Sequence, residues 1–502
     1  MKNILLILML NSAFICAQDI HVPVDTIVKT FHETTIKGKK IKYTAETGMQ
    51  PVWDNDGKPI ASLFYTYYKR NLPKDSKVKE SNRPIIISFN GGPGSGSLWM
   101  HIGYTGPRVL KIDDEGFPIQ PYGMKTNPYS IIDAADIVFV CPVNTGYSRM
   151  LADKKGNYPD RKKFFGINAD IKYLATWINT FITRKNRWES PKYIIGESYG
   201  GTRVMGLSYE LQSSHWMYLN GVIMVSPADY KLLEFDDGQE DAIDSSLHLP
   251  YYAATAWYHK MLDQEIQSMD LLAFLPQVEE FTINKLIPAI AKGGFISDKE
   301  RDEIAEKYSY YSGLDKDFIL DYNLDIPNYA FWKELLRRSD GLTIGRLDSR
   351  YRGIDRTNAG SSPDTNIELN SWNHSFAPAI NYYIRNELKF ETDIKYNVFG
   401  PVHPWDRQND NTRKNLRKAM AQNPFLKVFI QSGYYDGATN YFQAKYTMWQ
   451  VDPSGKMKDR FYFEGYRSGH MMYLRAEDLK KSNDDLREFI KNSSTNGMPA
   501  KY

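Results

Sequence analysis

An apolar run in this chain ends in a serine boxed by glycines: Tyr193-Ile194-Ile195 leads into Gly196-Glu197-Ser198-Tyr199-Gly200. The pattern G-x-S-x-G directly after a strand is that of a nucleophile elbow. The turn from strand to helix is so tight that the positions two before and two after the serine must lack bulk. The strained turn lifts the Ser198 hydroxyl above the sheet. The stretch GTRVMGLSYELQ that follows can form a helix, whose first amides, Tyr199 N–H among them, aim at any oxyanion formed at the serine.

Such a serine needs a base, and the chain has nine histidines. His470 lies in GYRSGHMMY, a glycine-bounded loop after the strand-like RFYFE. Elbow hydrolases place the histidine last in chain order, after the nucleophile and the acid. His21 and His32 come too early for that order, and His374 and His403 fall in or near an inserted segment. The acid that would orient His470 is Asp436, in QSGYYDGATN after the strand LKVFIQSG; its rival is Asp229, in VSPAD. Asp436 is favoured because its loop follows the penultimate strand, beside that of the histidine. Its work would be to fix the imidazole tautomer and stabilise the imidazolium. The loop NGGPGSGS at 90–97 offers the second oxyanion donor, the Gly92 N–H, since Gly91 and Gly92 allow close backbone approach. It lacks the G-K-[ST] ending of a phosphate loop.

The surrounding elements fit that chemistry. Residues 27–71 read as a strand meander with an Asp-Gly turn, and RPIIISF, ADIVFV, PKYII and LNGVIMV read as buried strands. Between them, Ile167, Ile171, Leu174, Trp177, Ile178, Phe181 and Ile182 paint one face of a helix. Apolar strands alternating with helices imply a mostly parallel sheet covered on both faces, and with the elbow and the Ser–Asp–His order the expected fold is the α/β-hydrolase fold, with a largely helical insertion over the active site. From about 232 the strand rhythm gives way to helical, aromatic and charged stretches such as AFWKELLRR, and SRYRGIDRTNAGSSPDTN at 349–366 reads as an exposed loop. Strands resume at 426–433 and 460–465, and a helix over 476–491 closes the chain. The expected organisation is a leader at 1–17, a first core part at 18–231, a helical cap insertion at 232–400 and a second core part at 401–502.

Composition narrows the function classes. The 502 residues are 42% apolar and 14% aromatic, with 35 tyrosines and a net charge of +3. That near balance gives no footing for nucleic acid or an anionic membrane as main partner. The opening MKNILLILMLNSAFICAQ has the lysine, short apolar run and small residues of a secretory signal, cleaved after Ala17. Its apolar run is short for a membrane span, which needs ~20 apolar residues. Phe14 and Ile15 are bulky for lipid attachment at Cys16. The expected location is therefore secreted or periplasmic. Only Cys16 and Cys141 are present, so a mature chain has no internal disulfide. Cys141 follows IVFV and reads as a buried small hydrophobe. No cysteine–histidine cluster suggests zinc, and no cofactor is implied.

The segments FNGGPGSGS, NPYS, CPVNTGYS, GESYGG, GYYDGATN and GYRSGHMM fall in the order and rough spacing of the serine carboxypeptidases, peptidase family S10. The chain resembles a distant, bacterial-type member. The resemblance implies an acid-active exopeptidase acting on peptides with a free C-terminus, whose terminal carboxylate is bound by Asn90 and Glu197. Two carboxylates repel unless one holds a proton, so Glu197 would bind best when protonated. The chain departs from the family pattern at Ser95, where a disulfide cysteine is usual, and at Val140-Cys141-Pro142, where the family has Asp-Gln-Pro. Two other readings stand beside this one: an esterase or acyltransferase on the same triad, and a non-catalytic secreted binding protein on a hydrolase scaffold.

Overall fold

A computed structural model describes residues 21–76, 78–228, 242–494, 497 and 499–501. The segment 1–17 expected as a leader and Asp229 lie outside the described residues. Among the described residues the main sheet has ten strands: β1 (Thr26–Ile36), β2 (Lys39–Trp53), β3 (Pro59–Arg70), β4 (Ile85–Phe89), β5 (Asp136–Val140), β6 (Arg149–Met150), β7 (Lys192–Glu197), β8 (Gly221–Val225), β9 (Lys427–Gly433) and β10 (Phe461–Tyr466). Their spatial order is β1-β2-β3-β5-β4-β7-β8-β9-β10, with β6 paired to β3. The first three strands and β5 pair antiparallel. From β5 to β10 every pairing is parallel. This is the α/β-hydrolase architecture.

The strand sequences explain the burial. IIISF and GVIMV are continuous apolar runs, and both are buried along their whole length. Successive side chains point to opposite faces. Ile86, Ile195, Ile223 and Val225 join one core cluster, and Ile85, Ile87, Ile194, Val222 and Met224 join the other. The second cluster is capped by helices α1 (Ile167–Arg184) and α2 (Tyr199–His215). The first receives α3 (Ile367–Tyr382), and α4 (Thr412–Gln422) packs on α2. Helix α5 (Ala476–Ser493) covers the first face through Leu486, Phe489 and Ile490.

The parallel topology places the chemistry. Chain direction is shared from β5 to β10, so the loops leaving β4, β7, β8, β9 and β10 all emerge at one edge. The order reverses around β4, with β5 on one side and β7 on the other. A crevice opens at the carboxyl end of the strands at such a switch point.

The described part of the interval 232–400, from residue 242 on, contains two packings. Helical segments between Ala242 and Glu334 share a hydrophobic cluster of their own, to which Tyr435, Tyr441 and Phe442 contribute. Helix α3 instead sends Trp372, Phe376 and Ile380 into the cluster under the sheet. From Ile354 to Asn366 the segment 349–366 is the exposed loop expected, but its first residues depart from that reading. Ser349, Arg350 and Tyr351 are buried, and Arg352–Gly353 pairs with Thr343–Ile344. The reason is local and electrostatic: Arg350 is held by Asp348 at 2.6 Å, and Ser349 N donates to Tyr435 O at 2.9 Å. Among the described residues no helix is long and apolar enough to cross a membrane.

Trp177 joins α1 to the sheet. It is fully buried, stacks on Phe181 at 5.1 Å and meets Tyr65 edge-on at 5.8 Å. Trp177→Ala is expected to lower stability by about 3–5 kcal/mol, read as a lower urea midpoint. A loss below about 1 kcal/mol would mean that this interface is not a main support of the fold.

Candidate active site

Strand β7 ends at Glu197 and helix α2 begins at Tyr199, which leaves Ser198 alone at the corner. Its φ of 59° and ψ of −126° are rare for a residue with a side chain. Hydrogen bonds hold it there: Ser198 N donates to Val225 O at 2.9 Å, and Ser198 O accepts from Gly201 N at 2.8 Å and Ala228 N at 3.0 Å. The flanking glycines are sterically required. A Cβ on Gly196 would lie 2.1 Å from Gly200 O, and one on Gly201 would lie 2.6 Å from Pro227 Cβ. Glu197 and Tyr199 are buried while Ser198 is half-buried, so the corner offers the serine outward.

Asp436 and His470 follow β9 and β10, whose ends are paired at Gly433 and Tyr466. His470 Nδ1 lies 2.7 Å from Asp436 Oδ2. The amides of Ala438 and Thr439 donate to Asp436 Oδ1 at 2.9 and 3.1 Å, and the Thr439 hydroxyl donates to Oδ2 at 2.7 Å. A carboxylate so surrounded is an acceptor for Nδ1–H, and this tautomer leaves Nε2 with the lone pair. His470 N donates to Leu347 O at 2.6 Å, and its carbonyl accepts from Ser226 Oγ at 2.8 Å. The Ser226 contact ties the histidine loop to the end of β8, the strand whose Val225 carbonyl holds Ser198. Burial works against a charged imidazole here. The Asp436 carboxylate outweighs it, Glu197 adds to the pull, and His470 is held above its ordinary value.

The loop after β4 lies against the elbow. A Cβ on Gly91 would fall 2.6 Å from both Tyr199 N and Glu197 O, and 2.9 Å from Ser198 Cβ. Gly92 follows with φ of 107°, a conformation glycine adopts without strain. The backbone at Gly91 thus approaches Ser198 and Tyr199 too closely for any side chain at that position. The segment 397–400 braces the loop from outside, with Gly400 N donating to Gly94 O at 2.7 Å and Gly96 N to Val398 O at 2.9 Å.

Asn90 and Glu197 meet side by side. The Asn90 amide donates to Glu197 Oε2, and Asn90 Oδ1 accepts from Met100 N at 3.1 Å. Tyr473 donates its hydroxyl to Glu197 Oε1 at 2.7 Å, and its ring stacks on Tyr104 at 4.9 Å. Burial pushes the Glu197 carboxyl up to about 7, against the downward pull of His470, Tyr473 and Asn90. A neutral acid of this kind can donate a hydrogen bond, which an ionised one cannot.

The structure therefore brings Asp436 to His470, Asn90 to Glu197, and Gly91 to Ser198 and Tyr199. Sequence reasoning missed Tyr473 and Thr439. Each sits three positions after a residue it did single out, and the DGAT stretch has the spacing for a carboxylate that accepts from the next amides. The buried pair Asp170–Arg203 behind the loop was missed as well, and no local pattern marks it. Cys141 is buried and takes the Ser97 amide at 3.4 Å, with burial raising its thiol. Among the described residues no cluster of His, Cys, Asp and Glu is arranged to hold a metal ion.

Comparison with known proteins adds a family. The profile described as serine carboxypeptidase matches residues 38–464. Serine carboxypeptidase-like 8 of Arabidopsis thaliana is 26% identical over 199 residues, 38% of this chain and 41% of that protein. The vitellogenic carboxypeptidase of Aedes aegypti is 28% identical over 160 residues, 32% of this chain and 30% of its own length. These matches span well under half of the curated relatives. The crystal structure of a prohormone-processing carboxypeptidase from Saccharomyces cerevisiae superposes with a TM-score of 0.52 at 14% identity, covering 91% of this chain and 92% of that one. That likeness is one of fold.

Gly91→Ala tests the contact between loop and elbow. The added methyl displaces the loop from Ser198, so labelling of Ser198 by a fluorophosphonate should slow by about 10²-fold or more. The circular dichroism spectrum should be unchanged. Labelling at the wild-type rate would show that the Gly91 approach plays no part in the serine's reactivity.

Proposed function

This chain belongs to the serine carboxypeptidase family, and on that footing we propose that it is a serine exopeptidase releasing C-terminal residues from peptides. Ser198 Oγ attacks the carbonyl before the last residue, and His470 Nε2 takes its proton. Asp436 holds the imidazole and balances its charge. The amides of Tyr199 and Gly92 stabilise the oxyanion. His470 then protonates the leaving amine. An acyl-enzyme on Ser198 remains, which water hydrolyses by the same route.

The observation that carries the exopeptidase reading is the Glu197–Asn90 pair. A carboxyl is buried one residue before the nucleophile, joined to an amide from the neighbouring loop and held up to about 7 by burial. Below that pH a neutral Glu197 offers an O–H to the substrate's terminal carboxylate. Above it, Glu197 is an anion facing another anion. Binding of a free C-terminus should therefore be strongest in acid and fade as pH rises through about 7. The leader at 1–17 favours work outside the cytoplasm, secreted or periplasmic.

The deciding experiment is an acyl-dipeptide with a free C-terminus beside its amide, followed from pH 4 to 8 with Ser198→Ala as control. The free acid should be cleaved and the amide spared, with KM rising toward neutral pH. Equal cleavage of both would leave the triad but remove the carboxylate role of Asn90 and Glu197, and the esterase or acyltransferase reading would replace this one.

Tyr473→Phe refines the test. It removes a donor that favours ionised Glu197, so the Glu197 carboxyl should rise further. The alkaline limb of the free-acid KM profile should then move to higher pH. A shift to lower pH, or none, would detach Tyr473 from control of that proton.

A further inference from the structure

Arg203 and Asp170 form an ion pair with both side chains fully buried, Arg203 Nε donating to Asp170 Oδ2 at 2.6 Å. Burying two charges is expensive, and apolar residues of similar shape often stabilise a fold as well. The rest of the fork is occupied in a specific way. Arg203 Nη1 donates to Asn90 O at 2.5 Å, and Nη2 reaches Pro93 O at 3.4 Å. These two carbonyls bracket Gly91 and Gly92, and Gly91 is the residue that lies against Ser198 and Tyr199. Paired glycines have the widest backbone freedom of any dipeptide, and the planar guanidinium spans them like a splint.

Both ends of the splint are anchored. Arg203 sits on α2, one turn beyond the elbow, with its guanidinium 5.0 Å from the Tyr199 ring. Asp170 sits on the first turn of α1. It accepts from the Tyr173 hydroxyl at 3.0 Å, and that hydroxyl accepts from Val143 N at 3.1 Å. The Tyr199 hydroxyl lies 3.5 Å from Asp170 Oδ2. Nucleophile helix and glycine loop are thereby joined through one cation.

We propose that Arg203, aligned by Asp170, is a positioning residue that fixes the Asn90–Pro93 loop against the elbow, so that the Gly92 amide and the Asn90 side chain are in place before substrate arrives. This rests on the triad and oxyanion reading given above. Arg203 touches no substrate; it acts through the loop's carbonyls. Removing it frees the glycines, which weakens oxyanion stabilisation for any acyl substrate and carboxylate binding for a free-acid peptide.

The test compares wild type, Arg203→Lys and Arg203→Met on p-nitrophenyl acetate and on a free-acid acyl-dipeptide, with sites counted by fluorophosphonate titration well below each variant's Tm. Arg203→Lys keeps the charge for Asp170 and with it the best chance of folding, but one ammonium cannot span two carbonyls. Its kcat per titrated site should fall at least tenfold on the ester with KM little changed. The peptide should show the same fall together with a raised KM. Arg203→Met, where it folds, should lose about 10²-fold or more. Arg203→Lys with kcat per site within twofold of wild type, and only a lower Tm, would reduce the pair to a stabilising role and overturn the proposal. A wild type that turns over neither substrate would instead remove the hydrolase reading on which it rests.

Discussion

The backbone at Ser198 is the constraint to which the other features answer. A positive φ on a residue with a side chain costs on the order of 1–3 kcal/mol, and persists only where its surroundings leave no alternative. Here they do so from three sides. Strand β8 holds the Ser198 amide through Val225, Gly201 and Ala228 hold its carbonyl, and Gly91 closes the third side by its close approach. The parallel sheet supplies the rigidity. With β7 paired on both edges, the corner at its end cannot relax without disturbing β4 and β8.

The same corner explains the buried carboxyl beside it. Glu197 is the last residue of β7 and points to the side where the β4 loop and the histidine loop close over it. It has neutral partners in contact, Asn90 and Tyr473, and the ionisable His470 and Asp436 further off. Donors to a carboxylate favour its charge, yet desolvation is the larger effect and wins. Asp170 is equally buried and burial raises its carboxyl too, but there a guanidinium in direct contact pulls the other way. Two acids thus lie on either side of the β4 loop, one met by a cation and one by neutral groups. The difference follows from which helix or loop faces each.

Much of the fold was legible because it rests on short-range periodicity. The helix Ile167–Arg184 is written in the spacing of its apolar residues, and the buried strands are written as continuous apolar runs. The elbow is local too, since the clash that demands Gly196 comes from Gly200, four residues on. The segment 349–366 is an exposed loop from Ile354 on, as its composition suggested, but its start was misread. Arg350 is buried with its counter-ion Asp348 and Tyr351 lies against Phe117, and neither contact leaves a pattern in the segment itself.

The sequence by itself determined which residues stand at strand ends: Ser198, Asp436, His470 and the loop from Asn90. A strand, its tight turn and the order of loops are properties of neighbours along the chain. Only the tertiary structure decided what meets there. Tyr473 reaches Glu197 across 276 positions, and Arg203 reaches Asn90 across 113. Such contacts depend on the order of strands in the sheet and on how loops fold back over its edge. The protonation of Glu197 belongs with them, because desolvation is set by everything packed around a group and not by the residues on either side of it.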